Sequence, residues 1–302
     1  MKSLVRSGLF LLFALTVPTL VQAQSAKIFV ASFGNDANDG SRGAPKRNFQ
    51  AAHNAVAGGG EIVALDTAGY GIVTINKSVT ITAPPGVTAL ISTTNFANAA
   101  VTINAAGVAV SLRGLTIENI DTGLNGVVVT NVGTLSLSDC VIQNFIADGL
   151  DFQPAASAVL LMTRCTMRNC GGNGCYLAPT AGTTGAALDG CQLESSGEGL
   201  LLTNIAGGQV FCTARDTIAA MNTSGFDARN SAVLNLQLCT ASGNGTGVAA
   251  LNGGSVKVDA CTISDNTGSG FSQGSGGTIF SRVNNTLSGN TGNTAFSTYS
   301  AQ

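Results

Sequence analysis

Residues 139–152 read DCVIQNFIADGLDF, and residues 164–177 read RCTMRNCGGNGCYL. The two stretches share one plan: a Cys, an aliphatic residue two places later, an Asn, and then a Gly that opens an apolar strand. The first half of this phrase recurs eight times, at intervals of 22 to 26 residues. A fixed period of this size is typical of a solenoid, whose coils bury their apolar faces only by stacking. The eight copies begin at Leu115, Cys140, Cys165, Cys191, Asp216, Cys239, Cys261 and Asn285.

Within each repeat, apolar residues alternate with a period of two, which predicts strands rather than helices. One strand is centred on residues 135–137, a second on residues 140–142, and a third follows a glycine, as at 149–150. Three short strands per coil of about 24 residues, joined by Gly and Asn turns, predict an all-β fold. We expect a single parallel β-helix of roughly nine to ten coils, stacked about 4.8 Å apart.

A column of asparagines supports this prediction. Asn or Ser stands at the turn of seven copies, and Asn tolerates the left-handed backbone that such a turn needs. Here the chain resembles the right-handed parallel β-helix proteins of the pectin-lyase-like superfamily, over about residues 60–295. The resemblance implies their fold, whereas a fold does not carry an activity with it. The turn column reads Asn119, Asn144, Asn169, Ser195, Asn244, Asn266 and Asn290.

The N-terminal region departs from the repeat. Residues 1–23 combine a charged start, a short apolar stretch and small residues at their end, which predicts a cleaved secretory signal and a secreted or periplasmic protein. Residues 24–60 are expected to hold a strand, a loop rich in Gly, Asn and Asp, and a short helix over 48–56 that caps the solenoid. The β-helix is expected over 61–295, with a frayed tail at 296–302.

The composition restricts the partners. Charged residues make up only 10% of the chain, the formal net charge is −2, and no basic stripe is present, so nucleic acid is not an expected partner. No second long apolar segment follows the signal, so no membrane span is expected after its cleavage. We expect a monomer.

Eight cysteines in an exported chain raise the question of disulfides. Neighbours in one inward column have parallel Cα–Cβ bonds, which fit poorly with a disulfide torsion near 90°. A packed column of thiols is therefore the preferred interpretation, and a bridge, first of all Cys170–Cys175, is the alternative. Asp216 interrupts the column. We expect a local kink to bring it to solvent, and the alternative is an inward carboxyl with a raised pKa. The column members are Cys140, Cys165, Cys191, Cys239 and Cys261.

The resemblance also sets an expectation for catalytic residues. Enzymes of the superfamily place carboxylates and a basic residue on one outer sheet, often with Ca²⁺ or a His. This sequence has no Gly-His-Gly, Asp-Pro-His or Asp-Asp, and its single histidine, His53, falls in the predicted cap helix. No catalytic residue of the family can therefore be carried over. Residues 36–40 resemble a Ca²⁺ loop without its later glutamate, so an Asx turn is expected there and weak Ca²⁺ binding is the alternative; no other metal site and no cofactor are expected.

One constellation of polar residues remains. Asp148 and Glu198 precede turn glycines two coils apart, hence about 9.6 Å, near the upper end of the carboxylate separation in inverting glycosidases. They are the candidate catalytic acid and base. The alternative is a solvated face with scattered charges. The candidate substrate-binding residues are Asp151, Asn173, Tyr176 and Arg168, of which the arginine would hold a uronate carboxylate.

Three functions fit these features. The preferred hypothesis is an exported, non-catalytic β-helix that recognises envelope or extracellular polysaccharide. The second is a polysaccharide lyase, hydrolase or uronate epimerase acting at the constellation above, and the third is an adhesin-like stalk without a sugar ligand. The chain has no Trp and three Tyr, so it offers few aromatic platforms for stacking on sugars, which disfavours an enzyme and a strong binder alike.

Overall fold

A computed structural model describes residues 25–93, 99–294 and 296–299. The predicted signal, residues 1–23, lies outside the described residues. Up to the middle of the chain the elements are β1 (Ser25–Val30), α1 (Phe49–Ala55), β2 (Val56–Ala64), β3 (Ala68–Gly69), β4 (Val73–Ile75), β5 (Val79–Thr82), β6 (Ala89–Thr93), β7 (Ala99–Asn104), β8 (Ala109–Arg113), β9 (Leu115–Asn119), β10 (Asn125–Asn131), β11 (Thr134–Ser138), β12 (Val141–Gln143), β13 (Leu150–Phe152), β14 (Ala158–Thr163) and β15 (Thr166–Arg168). They continue with β16 (Cys175–Leu177), β17 (Thr183–Asp189), β18 (Gln192–Glu194), β19 (Glu198–Thr203), β20 (Gln209–Arg215), β21 (Ile218–Ala220), β22 (Ser224–Arg229), β23 (Val233–Gln237), β24 (Thr240–Ser242), β25 (Thr246–Leu251), β26 (Ser255–Asp259), β27 (Thr262–Ser264), β28 (Phe271–Gly274), β29 (Thr278–Ser281), β30 (Thr286–Ser288) and β31 (Ser297–Thr298).

The strands form three parallel sheets that run the length of a solenoid. Sheet 1 has the order β1-β2-β5-β8-β11-β14-β17-β20-β23-β26-β29-β31. Sheet 2 has the order β4-β7-β10-β13-β16-β19-β22-β25-β28, and sheet 3 has β3-β6-β9-β12-β15-β18-β21-β24-β27-β30. The nine strands of sheet 2 mark nine coils within the described residues. This confirms the predicted single β-helix with three strands per coil.

The core is built from inward columns, one side chain per coil. A single column on sheet 3 illustrates the packing, because each member is completely buried and lies one strand spacing from the next. The column consists of Ile117, Ile142, Met167, Leu193, Ala219, Ala241 and Ile263. Burial of these aliphatic groups is the main force that holds the coils together.

An asparagine ladder is present on the later coils. It lies one residue after the turn position that the earlier asparagines of the predicted column occupy. The left-handed turn position holds Asn144, Asn169 and Ser195, followed on later coils by Met221 and Gly243. The amide ladder occupies the next, inward position. There, each backbone N–H donates to the Oδ1 of the following coil's asparagine at 2.9–3.1 Å. The ladder residues are Asn222, Asn244, Asn266 and Asn290.

The assignment of Asp216 to the cysteine column was wrong by one residue. Thr217 takes the inward place between Cys191 and Cys239, and it is completely buried, whereas Asp216 is exposed. The Thr217 hydroxyl donates to the Arg215 carbonyl at 2.9 Å, which allows it to replace a thiol in the core. No kink is required. The strands of sheet 3 on the later coils keep the register that Thr217 sets.

The cysteines are eight buried free thiols. The five that were expected to share a column do so, since the pairings on sheet 3 place them in one register with Thr217. Cys175 and Cys212 point inward from sheets 2 and 1, and Cys170 lies at a turn. They behave as small apolar groups.

Helix α1 covers the first coil. It buries Phe49, Ala52 and His53, and the Phe49 ring lies 5.0 Å from the ring of Tyr70. Burial lowers the pKa of His53, and the positive charge of Lys77 lowers it further. No helix among the described residues is long and apolar enough to cross a membrane. At the other end, where the tail was expected to fray, β31 pairs with β29.

Candidate functional site on the outer face of sheet 2

The outer face of sheet 2 carries three columns of side chains on or next to β13, β16, β19 and β22. The first column lies before the turn glycine, and the other two lie three and five residues later. The first column runs Asn125, Asp148, Asn173, Glu198 and Ser224; the second runs Asp151, Tyr176, Leu201 and Asp227; the third runs Gln153, Ala178, Thr203 and Arg229. We call these columns on the four strands the sheet 2 face.

The turn glycines set the spacing of the first column. A Cβ added at Gly149 would lie 2.7 Å from the carbonyl oxygen of Gly174, and one added at Gly174 would lie 2.8 Å from that of Gly199. Only glycine allows the coils to approach this closely. As a result, the polar side chain before each glycine stacks directly on that of the neighbouring coil.

Asp148 is held by the coil that follows it. Its Oδ1 accepts hydrogen bonds from the backbone N–H of Asn173 at 2.7 Å and from Asn173 Nδ2 at 2.8 Å, while its own N–H donates to Asn125 Oδ1 at 3.0 Å. Burial raises the pKa of the Asp148 carboxyl, and the two bonds from Asn173 oppose the rise. The carboxyl is thus fixed in place and partly shielded from water.

Asp151 and Tyr176 stand beside it in the second column. Gln153 Nε2 donates to Asp151 Oδ1 at 2.6 Å. Burial raises the pKa of Asp151, and the nearby charge of Asp148 raises it further. Burial also raises the pKa of Tyr176, with smaller contributions from Asp151 and Asp148. The three groups therefore form one electrostatic cluster.

Arg229 is the cation of the sheet 2 face. Its Nη2 lies 2.8 Å from Glu198 Oε1 and 2.6 Å from Asp227 Oδ2, and its Nε donates to Asp227 Oδ2 at 3.0 Å. The bond to Asp227 is the largest cause that raises the pKa of Arg229. Asp227 is only 1% exposed, although it belongs to an outward column, because it lies beneath the guanidinium.

Three buried oxygen atoms of this face have no hydrogen-bond partner. They are Asn173 Oδ1, Ser224 Oγ and Asp227 Oδ1. Buried polar atoms in native proteins normally have a partner in the protein, in ordered water or in a ligand. Two of these atoms lie on β22 and the third precedes β16, two coils away, so water or ligand hydroxyl groups are expected to complete the hydrogen bonding at both places on this face.

Five of the six predicted site residues meet on the sheet 2 face, namely Asp148, Glu198, Asp151, Asn173 and Tyr176. Arg168 lies elsewhere, on β15 of sheet 3, where its Nε donates to Gln143 Oε1 at 2.9 Å. Asp227 and Arg229 were missed. Their signal is the distance from Gly225: two and four residues after this glycine, as Asp151 and Gln153 follow Gly149.

The carboxylates of the loop at residues 36–40 are bonded to nearby groups of the chain. Asp36 Oδ1 accepts hydrogen bonds from the backbone N–H groups of Arg47 and Asn48, and Asp36 Oδ2 accepts one from Asn48 Nδ2. Asp39 Oδ1 accepts one from the Ser41 N–H, so both carboxylates stabilise local turns. Within the described ranges, no group of three or more His, Cys, Asp or Glu is arranged to hold a metal ion.

A concavity of about 450 Å³ lies next to the turns that connect sheets 1 and 3. Its one carboxylate, Asp139, is exposed and paired with Arg164 at 2.7 Å. None of its lining residues has a buried side-chain oxygen or nitrogen without a partner. The sheet 2 face therefore remains the better candidate.

Comparison with known proteins supports the fold. The family described as "Right handed beta helix region" matches residues 180–302. The crystal structure of pectate lyase Pel9A is similar over 90% of this chain and 79% of that one, with 17% identity and a TM-score of 0.64. The fold of this protein is a right-handed parallel β-helix. No curated protein has significant sequence similarity to this β-helix.

Two further solved structures are more distant from this β-helix. The GH136 lacto-N-biosidase from Eubacterium ramulus covers 90% of this chain and 67% of its own length, with 12% identity and a TM-score of 0.46. A rhamnogalacturonan lyase covers 85% of this chain and 67% of its own length, with 11% identity and a TM-score of 0.31.

Proposed function

We propose that this protein is an exported, non-catalytic β-helix that binds polysaccharide through the sheet 2 face. The observation that carries the proposal is the set of buried oxygen acceptors without partners on Asn173, Ser224 and Asp227. Sugar hydroxyl groups are hydrogen-bond donors, and such acceptors, held on a rigid sheet, are suited to receive them. The likeness to a pectate lyase is consistent with a carbohydrate ligand.

The state of the carboxylates favours binding over catalysis. Each one already accepts a hydrogen bond from a neighbouring side chain: Asp148 from Asn173, Asp151 from Gln153, and both Glu198 and Asp227 from Arg229. The outer positions of β13, β16, β19 and β22 carry neither lysine nor histidine. Side chains held by such bonds on a rigid sheet are well suited to orient a ligand.

A second candidate function is glycoside hydrolysis. Burial raises the pKa of Asp148, as a general acid requires, and Glu198, the candidate base, accepts a hydrogen bond from Arg229 Nη2 at 2.8 Å. The two residues are two coils apart, about 9.6 Å, which is close to the range for inversion. A lyase or epimerase has no comparable support, because the one cation on this face is committed to two carboxylates.

One experiment separates these functions. The purified protein is applied to a glycan array, and the bound glycans are then incubated with it and assayed for new reducing or unsaturated ends. Binding without products supports the proposal, provided that Ser224→Ala and Asp227→Asn weaken it at least tenfold. Asp216→Asn, which alters an exposed carboxylate on another face, is the matched control.

The other outcomes overturn the proposal. Release of reducing ends that is lost in Asp148→Asn and in Glu198→Gln identifies a hydrolase. If the protein neither binds nor cleaves polysaccharides that include pectate, alginate and neutral glucans, the adhesin-like stalk is the remaining hypothesis. Export is tested separately, by N-terminal sequencing of the protein recovered outside the cytoplasm; a chain that begins before residue 24 contradicts the cleavage.

A further inference from the structure

The outer face of sheet 1 exposes apolar side chains on three successive coils. Val159 and Leu161 on β14 are 41% and 43% exposed, and Phe211 on β20 is 46% exposed. Between them, β17 contributes Gly185 and Ala187, which face outward in the same two columns. Contiguous apolar surface on a rigid sheet marks a place where another molecule docks. We call these five residues the sheet 1 patch.

Gly185 supports a docking role. It lies in the interior of β17, where glycine weakens a strand because it adds flexibility and contributes no packing. A Cβ placed there would meet nothing within 4 Å, and Gly185 is not among the glycines with positive φ. The chain itself therefore does not require glycine at this position. A strand glycine of this kind often marks the close approach of another molecule.

The open space above Gly185 lies directly beside the exposed ring of Phe211. Gly185 pairs with Phe211 on the next coil, so the smallest and the largest side chains of the column are neighbours. The same two strands end in an exposed acid and an exposed base, because Asp189 pairs with Arg215. The small residue Gly185 thus has a large ring one coil away, and the acid Asp189 has a base one coil away.

A twofold axis that is parallel to the strands and passes between β17 and β20 would bring both of these pairs together across two copies of the chain. Rotation about this axis reverses the order of the coils and leaves each column facing itself on a second copy. Phe211 then lies over Gly185 of the second copy, and Asp189 lies opposite Arg215 of the second copy. One coil further out, Val159 faces Val233, which belongs to the same column. Such a self-complementary surface defines an isologous interface.

We infer that the sheet 1 patch is the interface of a symmetric dimer of this protein. This departs from the monomer expected from the sequence. Six coils in face-to-face contact would bury roughly 1,100 Å² in total, at the low end of specific interfaces. The dimer is therefore reversible, with a dissociation constant in the micromolar range, and it leaves the sheet 2 face of both copies open.

The test is sedimentation equilibrium of the purified protein over a concentration series from about 1 μM to about 500 μM, a range that brackets the expected affinity. Phe211→Ser, Asp189→Arg and Arg215→Asp should each weaken dimerisation at least tenfold. The double variant Asp189→Arg/Arg215→Asp should restore it to within about threefold, since it re-forms both ion pairs with the charges exchanged. Val283→Ser, at a side chain that is 88% exposed on another part of the surface, is the matched control and should change nothing.

Two results overturn the inference. One is a monomer throughout the concentration range. The other is a dimer that both Phe211→Ser and the single charge reversals leave intact, which would place the interface elsewhere. Thermal melts of each variant establish that it is folded, and the charge exchange keeps the test valid if Phe211→Ser fails to fold.

Discussion

Arg229 and Asp227 form an ion pair on the sheet 2 face: Arg229 Nη2 lies 2.6 Å from Asp227 Oδ2, and the Asp227 side chain is almost completely buried. The same Nη2 atom reaches Glu198, 31 residues earlier in the chain. One guanidinium therefore holds two strands and two carboxylates in a single arrangement.

Removal of either partner should be costly, and removal of both much less so. Arg229→Met leaves the Asp227 carboxylate buried without its cation, and we expect a loss of about 3 kcal/mol in the free energy of unfolding, the low end for a broken buried pair. The double variant Asp227→Asn/Arg229→Met should lose less than Arg229→Met alone. Urea denaturation of the parent protein, Asp227→Asn, Arg229→Met and the double variant measures the coupling free energy between the two side chains. Costs that simply add would show that the two side chains act independently.

The pH dependence of stability should report on Asp148. Because burial raises its pKa in the folded state, the folded protein binds more protons than the unfolded chain above the unfolded value of about 3.9. The free energy of unfolding therefore falls as the pH rises from that value through the folded pKa, and it is constant above. Each unit of elevation corresponds to about 1.4 kcal/mol.

Asp148→Asn removes this titration and keeps an Oδ1 that can accept both bonds from Asn173. The variant should match the parent protein near pH 3.5 and be more stable at pH 7. Denaturation curves at intervals of half a pH unit measure the difference, with the exposed Asp216→Asn as the control. Parallel stability profiles for the Asp148→Asn variant and the parent would contradict the assigned direction of the shift.

The sequence was informative wherever a property repeats on every coil. Inward aliphatic residues and turn glycines recur at each interval, so the strands, the three sheets and the first column with Asp148 and Glu198 followed from periodicity alone. Features confined to one coil were harder to place. The triplet Asp216-Thr217-Ile218 imitates the Cys-Thr-Ile of residues 261–263, and the two phrases are offset by one residue in the structure.

The candidate site shows the same limit. Arg229 shares its column with the neutral Gln153, Ala178 and Thr203, so no pattern marks it as a site residue. Its contact with Glu198 depends on the register across β19 and β22. Arg168 has the right charge and the right coil, but the turn after β15 separates its sheet from the carboxylates, and the repeat alone does not define the angle between sheets.

The buried amide ladder should contribute strongly to stability. Asn244 Nδ2 donates to the Ala219 carbonyl at 3.0 Å, and its Oδ1 accepts from the Asn222 N–H at 2.9 Å. Asn244→Ala leaves the Asn222 N–H buried without its acceptor, at about 1–3 kcal/mol, and also removes the amide bonds to Ala219 and Asn266, so we expect a loss of about 3 kcal/mol. Asn235→Ala, on a half-buried outward position of β23, should cost under about 1 kcal/mol. Equal melting temperatures for the two variants would contradict a structural role for the ladder.

The thiols should be present and unreactive in the folded protein. Hydrogen bonding with Cys140 raises the pKa of Cys165 to about 12, and burial raises that of Cys170 to about 11, so neither forms thiolate near neutral pH. Hydrogen bonding with Cys165 lowers the pKa of Cys140, and hydrogen bonding with Cys239 lowers that of Cys261, so these two thiols are protected by burial alone, which all eight cysteines share. Ellman's reagent at pH 8 should detect no thiol in the native protein and all eight after denaturation without reductant. Fewer than eight under denaturing conditions would reveal a disulfide.

Close packing of the turn glycines should make them intolerant of even a methyl group. A Cβ at Gly174 would lie 2.8 Å from the Gly199 carbonyl oxygen, a backbone atom that cannot move without shifting the next coil. We expect Gly174→Ala to cost about 2–3 kcal/mol through overpacking. Gly69→Ala is the matched control, because Gly69 also lies in a strand and its Cβ would meet nothing within 4 Å; it should be neutral or slightly stabilising. Thermal and urea unfolding of both variants measure the contrast. If Gly174→Ala were as stable as Gly69→Ala, the coils could separate locally, and the first column of the sheet 2 face would lose the rigid spacing on which its alignment depends.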